Sequence, residues 1–200
     1  MTLEAQKKQA RSDALKRRAS LAVGLAGQAP GLLAERIVRL AASGKLVQPI
    51  AAYWPMGSEI DVRDALNRLH DRGLVLLLPV VVRKRAALEF RRWQPDQPLQ
   101  NDQEGIPAPG EDAAPDTPVT VLVPLVAVDR DGYRLGYGGG YYDRTLAALR
   151  DAGPVTAVGV AFGGQLVDRL PRREWDQPLD ALVTERGFHE FAASGTGTGE

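Results

Sequence analysis

Apolar positions along the chain follow two rhythms: apolar residues three or four apart, and short, almost unbroken apolar runs. The first rhythm predicts helices and the second predicts strands covered on both faces. Residues 2–25 hold Ala, Leu, Lys, Arg and Gln without proline and predict a helix ending near Gly24 or Gly27. A second helix fits Gly31 to Ala42, with Leu32, Leu33, Ile37, Val38 and Leu40–Ala41 on its buried stripe and Gly44 as its stop. Val47 to Tyr53 predicts the first strand, 54–58 a loop, and Asp61 to Arg72 a helix closed by Gly73. Leu74 to Val82 is a nearly continuous apolar run and predicts a buried strand, with a shorter one at Leu88 to Trp93. Further strands are predicted at Val119–Val128, Val155–Phe162 and, as the last, Leu179–Thr184, with a turn at 129–132 and a helix over Thr145–Arg150. Strands that alternate with helices imply one α/β domain, 1–191, with a mainly parallel sheet sandwiched between helix layers.

Two segments break the rhythm. Residues 94–118 carry six of the fourteen prolines and six acidic residues without a Lys or Arg, and predict a long irregular loop, most mobile over 112–118. The tail, 192–200, is Gly-, Ser- and Thr-rich and predicts disorder.

Composition narrows the chemistry. Twenty-five basic residues balance twenty-five acidic ones, so charge points to neither a nucleic-acid nor a membrane partner. No apolar run approaches the roughly 18–20 residues of a membrane span. The start of the chain has no apolar signal core, and a cytoplasmic protein is expected. The chain has no cysteine, which excludes thiolate catalysis, disulfides and cysteine metal sites. His70 and His189, the two histidines, fall late in a helix and near the tail, and read as surface residues.

Arg134 to Arg144 stands out: four glycines and three tyrosines between two arginines, after an apolar run and before a helix. Strand, glycine loop and helix in that order bring backbone N–H groups to the positive end of a helix dipole, where a phosphate can sit. Arg134 and Arg144 can pair with phosphate oxygens, and Asp143 offers a hard oxygen to Mg²⁺. No lysine stands where a Walker loop needs one, and Tyr141 takes the place of the third glycine of a dinucleotide fingerprint. Ligands of such sheets gather at the C-terminal strand ends, and topology brings Glu59 and the glycine loop to that same edge. Lys7 and Arg11 are four apart and share a helix face; with Lys8, Lys16, Arg17 and Arg18 they make a basic N-terminal helix, as a solvated face or a phosphate clamp. Asp176 is a turn residue or a ligand, Asp180 abuts the last strand as a structural cap, and Glu59 either caps the next helix or binds substrate. Tyr137, Tyr141 and Tyr142 either pack in the core or stack on a flat ligand.

These blocks together resemble the 5-formyltetrahydrofolate cyclo-ligase family, also called 5,10-methenyltetrahydrofolate synthetases, from about residue 7 to about residue 187. The matching blocks are Val123–Asp129, Gly132, Arg134–Arg144, Glu59–Asp61, Leu78–Val80, Gly105–Ile106, Val158–Phe162, Gln165, Leu170–Pro171 and Asp176–Glu185. The resemblance implies ATP- and Mg²⁺-dependent conversion of 5-formyltetrahydrofolate to 5,10-methenyltetrahydrofolate through a phosphorylated formyl group, with ADP and phosphate released. It implies ATP binding by Lys7, Arg11, Arg134, Gly136, Tyr137, Gly138, Gly139, Gly140 and Tyr142. Folate would meet Trp54, Glu59, Tyr137 and Tyr141; Arg134 and Tyr141 would be catalytic; Asp143 and Asp176 would hold Mg²⁺. A monomer is expected, with a weak dimer as the alternative. Three positions depart from the family's common pattern: Ala108 stands where many members have glutamate, Gly139 where some have lysine, and Trp175 where histidine is frequent. A folate- or nucleotide-binding protein without turnover and a sugar-phosphate isomerase on a related scaffold are the competing readings.

Overall fold

A computed structural model describes residues 2–192. In chain order the elements are α1 (Leu3–Leu25), α2 (Ala29–Ala42), β1 (Ile50–Ala51), α3 (Arg63–His70), β2 (Leu76–Val80), β3 (Glu89–Trp93), β4 (Leu99–Asn101) and β5 (Pro107–Pro109). There follow β6 (Thr120–Pro124), β7 (Ala127–Asp129), β8 (Arg134–Leu135), α4 (Tyr141–Ala152), β9 (Thr156–Val160), β10 (Leu166–Val167), β11 (Ala181–Val183) and β12 (Phe188–Glu190). The main sheet runs β12-β11-β9-β6-β1-β2-β3, parallel from β11 to β2 and antiparallel at both edges. Successive strand residues face opposite ways, so Leu76, Leu78 and Leu122 pack under α2 and α3, while Leu77, Val121 and Val123 pack under Leu146 and Leu149 of α4. This is the α/β sandwich that the alternating rhythm implied.

The structure corrects several boundaries. The strand expected over 47–53 forms ladder pairs only at Ile50–Ala51. Val47 exchanges both its backbone groups with the Thr120 hydroxyl, at 2.9 and 2.8 Å, and Pro49 has no N–H to give. The strand expected over 119–128 is two strands in different sheets, because β7 pairs with β8 and β10 instead of the main sheet. Both halves are largely buried, and Pro124, the last residue of β6, has no N–H with which to continue a ladder. Segment 94–118 is less irregular than expected: β4 and β5 form a hairpin whose connection is folded around Asp102. Asp102 Oδ1 accepts from Glu104 N and Ile106 N, and Oδ2 accepts from Val81 N at the end of β2. The helix expected from Thr145 begins at Tyr141, and β11 is followed by a further strand, β12. The tail expected to be disordered, 192–200, lies from 193 onward outside the described residues.

The β6–β7 break is built with care, since it steers the chain toward the glycine loop. Gln165 is almost wholly buried and donates to Leu125 O and Val126 O, both at 3.0 Å, while accepting from Phe162 N at 2.8 Å. Arg18 adds a second donor to Leu125 O at 3.1 Å. Buried carbonyls left without donors each cost about 1–3 kcal/mol. Gln165→Leu is therefore expected to destabilise the protein by about 3 kcal/mol, read as a lower urea midpoint at unchanged slope.

Candidate active site

The C-terminal ends of β1, β2 and β6 open into one cavity of about 550 Å³, a size suited to small-molecule ligands. The edge is the one that topology assigned to ligands. The residues to which the resemblance gave a role all line it: Lys7, Arg11, Trp54, Glu59, Arg134, the loop from Gly136 to Tyr142, Asp143 and Asp176. His70 and His189 do not, and Asp180 is structural, accepting from Ala157 N at 2.7 Å.

Helix α1 forms one wall. Lys7, Arg11 and Arg18 are spaced by four and seven residues and so share a face. Lys7 is buried and ion-paired with Asp176, and Arg11 Nε donates to Gly136 O at 2.7 Å. Ala10 and Ala14, on the same helix, pack on the small sheet around Leu135 and Leu170. Arg18 is 2% exposed, and in the sequence it is one cation in a basic run. Its guanidinium donates to Ser58 Oγ at 3.0 Å, to Leu125 O and to the Tyr137 hydroxyl, and Glu59 Oε1 lies 3.8 Å away. Only the i+7 spacing from Arg11 hinted that Arg18 faces the site.

Glu59 does not cap the following helix. Its Oε2 accepts from Met56 N at 2.9 Å, while Asp61 Oδ1 accepts from Arg63 N, in the first turn of α3. Burial pushes the Glu59 carboxyl above its ordinary value, against the downward pull of the Met56 N–H and Arg18. Burial likewise raises the Tyr53 phenol, whose hydroxyl donates to Ile60 O at 2.8 Å beside the pocket. Trp54 lies edge-on to Trp93, with ring centroids 6.1 Å apart.

The glycine loop lies against α1 and continues that wall. Gly138 has φ +106°, and a Cβ there would meet the Arg11 guanidinium carbon at 3.4 Å. Gly140, at φ +68°, is the N-cap residue of α4 and offers no side-chain cap. Because α4 starts at Tyr141, Tyr142 and Asp143 sit in its first turn, where an acidic residue favours the helix dipole. Tyr142 is partly buried against the core under α4, and burial drives its phenol far up. Tyr137 is half exposed, and Tyr141 donates to Glu104 at 2.8 Å across the mouth. The ring of Tyr141 also lies where a Cβ on Gly139 would come within 2.8 Å, so a longer residue at 139 would displace it. Ala108 is outside this cavity and lines a groove with Arg91 and Gln100.

Arg134 and the two aspartates meet at the base of the loop. Arg134 donates to Asp143 Oδ1 at 2.9 Å and to Gln177 O at 2.5 Å, and burial pulls its guanidinium below its ordinary value. Gln177 N in turn donates to Asp143 Oδ1 at 3.1 Å, which places Asp143 against the residue next to Asp176. Asp176 is both a turn residue and a pocket residue, since its Oδ2 accepts from Arg173 N at 2.7 Å as well as from Lys7.

The model of the 5-formyltetrahydrofolate cyclo-ligase family matches residues 3–185. The chain belongs to that family. Among the family's curated proteins, the 5-formyltetrahydrofolate cyclo-ligase of Haemophilus influenzae is 37% identical over 140 residues, 67% of this chain and 74% of that protein. The cyclo-ligase of Escherichia coli K12 is 35% identical over 151 residues, 73% of this chain and 82% of its own. The solved structure of Aquifex aeolicus 5,10-methenyltetrahydrofolate synthetase superposes with TM-score 0.71 at 28% identity, covering 97% of this chain and 99% of that one. The cyclo-ligase family match thus spans the pocket from α1 to the strand after Asp176. No helix among the described residues is long and apolar enough to cross a membrane.

The raised Glu59 carboxyl has a consequence for stability. A carboxyl that holds its proton more tightly when folded contributes most below its unfolded value, near 4.5, and that contribution is lost as pH rises through the higher folded value. Glutamine cannot ionise. The stability of Glu59→Gln relative to wild type is therefore expected to improve as pH rises from 4 through that window, measured by urea unfolding at several pH values. A pH-independent difference would contradict the assignment.

Proposed function

We propose that this chain converts 5-formyltetrahydrofolate to 5,10-methenyltetrahydrofolate, using ATP and Mg²⁺ and releasing ADP and phosphate. The carrying observation is the single cavity in which a glycine loop at a helix start, two linked aspartates and a buried glutamate face one another. Family membership and the names of its relatives support the same reading.

The formyl oxygen of an amide-like nitrogen is a poor leaving group. Transfer of the γ-phosphoryl group breaks its bond to ADP and forms an oxygen–phosphorus bond on the formyl group. N10 then bonds to the formyl carbon and gives up its proton, and phosphate leaves with the former formyl oxygen. Positioning and charge neutralisation carry such a reaction, with no dedicated protein nucleophile.

On this reading the triphosphate lies on the loop between Gly136 and Gly140, against Lys7, Arg11 and Arg134. Each of these cations is held by a partner in the pocket wall, so their geometry is set before substrate arrives. The donor set fits Mg²⁺. Asp143 takes its hydrogen bonds on Oδ1 and Asp176 on Oδ2, so each keeps its other oxygen for a cation, and Mg²⁺ commonly takes one or two carboxylates beside phosphate and water. When bound, the ion neutralises charge on the transferring phosphoryl group. Arg134 keeps Asp143 in place and adds positive charge beside the loop. Glu59 receives the N–H edge of the pterin, Trp54 covers its flat face, and Tyr137 and Tyr141 border the ring and the benzoyl group.

Purified protein with 5-formyltetrahydrofolate, ATP and Mg²⁺ is expected to develop the absorbance of methenyltetrahydrofolate only when all three are present. Binding of folate without ADP formation at high enzyme concentration would instead identify a sequestering protein. Asp143→Asn keeps the side chain's size and is expected to lower turnover by on the order of 100-fold while raising the Mg²⁺ needed for half-maximal rate. An unchanged Mg²⁺ titration would remove Asp143 from the metal site.

A further inference from the structure

Helix α1 acts as a ruler along the pocket. Lys7 and Arg18 are eleven residues apart, about 16 Å at 1.5 Å per residue. Arg18 marks the end that holds Glu59, and Lys7 marks the end that holds Asp176. One turn beyond Lys7, Glu4 pairs with Arg173. At this far end Trp175 lines the cavity with 63% of its surface exposed. A side chain of that size and apolarity is seldom left so open without a partner.

The turn that carries Trp175 is well tied. Asp176 N donates to Arg173 O at 3.2 Å, Arg173 N donates to Asp176 Oδ2 at 2.7 Å, and Lys7 holds the same carboxylate. The Arg173 guanidinium stands 5.2 Å from the indole centroid, and its own charge is balanced by Glu4. The indole thus stands on a tied turn, backed by a cation, at the end of the cavity remote from Glu59 and next to the Lys7–Asp176 pair.

We propose that Trp175 is the stacking platform for the base of the nucleoside triphosphate, a role that rests on the ATP-dependent reading above. With the pterin at the Glu59 end and the phosphates on the glycine loop, the end walled by Trp175 receives the base. An indole face recognises a base by its π-surface and not by its hydrogen-bonding edge, so purines are favoured over pyrimidines by stacking strength alone. Base stacking of this kind corresponds to about 5- to 100-fold in affinity.

The test compares two ligands that share phosphates and differ in the base: the non-hydrolysable ATP analogue AMP-PNP and inorganic tripolyphosphate, each with Mg²⁺, titrated calorimetrically against the intact protein. Trp175→Ala is expected to weaken AMP-PNP about 5- to 100-fold and leave tripolyphosphate unchanged, with Trp175→Phe recovering most of the loss. AMP-PNP, but not tripolyphosphate, is expected to quench tryptophan emission in the wild type, and the quench is expected to vanish in Trp175→Phe, which retains Trp54 and Trp93. An unchanged AMP-PNP affinity in Trp175→Ala, or an equal loss for both ligands, overturns the platform. If the wild type turns over folate with ATP, that result leaves the proposed function standing. If the wild type binds neither ligand and shows no turnover, the ATP reading falls and the platform with it.

Discussion

A guanidinium taken out of water has to be given both a counter-charge and a full set of acceptors, and the neutralisation of Arg18 is the constraint on which the rest of the structure depends. An uncompensated buried charge costs several kcal/mol. Arg18 meets that demand with Ser58, the Leu125 carbonyl, the Tyr137 hydroxyl and the nearby Glu59 carboxylate. These partners come from the loop after β1, the end of β6 and the glycine loop. One side chain thereby fixes α1 against three separate parts of the fold. Once α1 is fixed at Arg18, helix geometry alone determines where Arg11 and Lys7 fall, which is beside Gly136 and Asp176.

The same contact sets the electrostatics of Glu59. Burial raises its carboxyl, and the Arg18 charge pulls it back down only in part. A carboxylate in that condition is better satisfied by N–H donors from a bound ring than by its protein partners alone. Arg18 also bonds Tyr137, the exposed aromatic of the glycine loop. The Glu59 side and the glycine-loop side of the pocket therefore share one buried cation. The Leu125 carbonyl, which takes donors from both Arg18 and Gln165, ties this cation to the bend that sends the chain from the main sheet into the loop.

The sequence was most legible where one physical cause dominates. Leu76–Val80 and Thr156–Val160 are largely buried, and their apolar runs marked them as strands. The glycine loop was legible because so many glycines between a strand and a helix make no sense as packing. The misplaced boundaries share a different cause. The division of β6 from β7 is held by Gln165 and Arg18, which lie 40 and more residues away in the chain; its one local mark is Pro124, and Pro79 stands inside β2 without breaking it. The start of α4 was set four residues late because Tyr141 to Arg144 read as part of the glycine loop, whereas the Thr145 hydroxyl bonds Tyr141 O and seals that first turn. The hairpin within 94–118 hangs on one aspartate, Asp102, whose role is visible only after folding. Arg18 was hidden for the opposite reason: it sits among so many charged neighbours that burial was the least probable reading of any one of them.

The glycine loop completes the balance between stability and chemistry. Gly138 and Gly140 hold dihedrals that other residues adopt only with strain, and glycine carries the largest entropy loss on folding. Gly140 leaves the N–H groups at the start of α4 without a side-chain cap, a choice that forgoes about a few tenths of a kcal/mol of helix stability. Ser or Asp at position 140 would cap the helix but would clash with the left-handed backbone and, at 3.1 Å, with the Arg144 guanidinium. The fold offsets this local loss by fastening the loop at both ends: Arg11 holds Gly136, and Arg134 with Gln177 holds Asp143. A loop anchored at its ends and uncapped at the helix start leaves N–H groups that can receive an anion, so the disposition that costs stability is also one that suits an anion site.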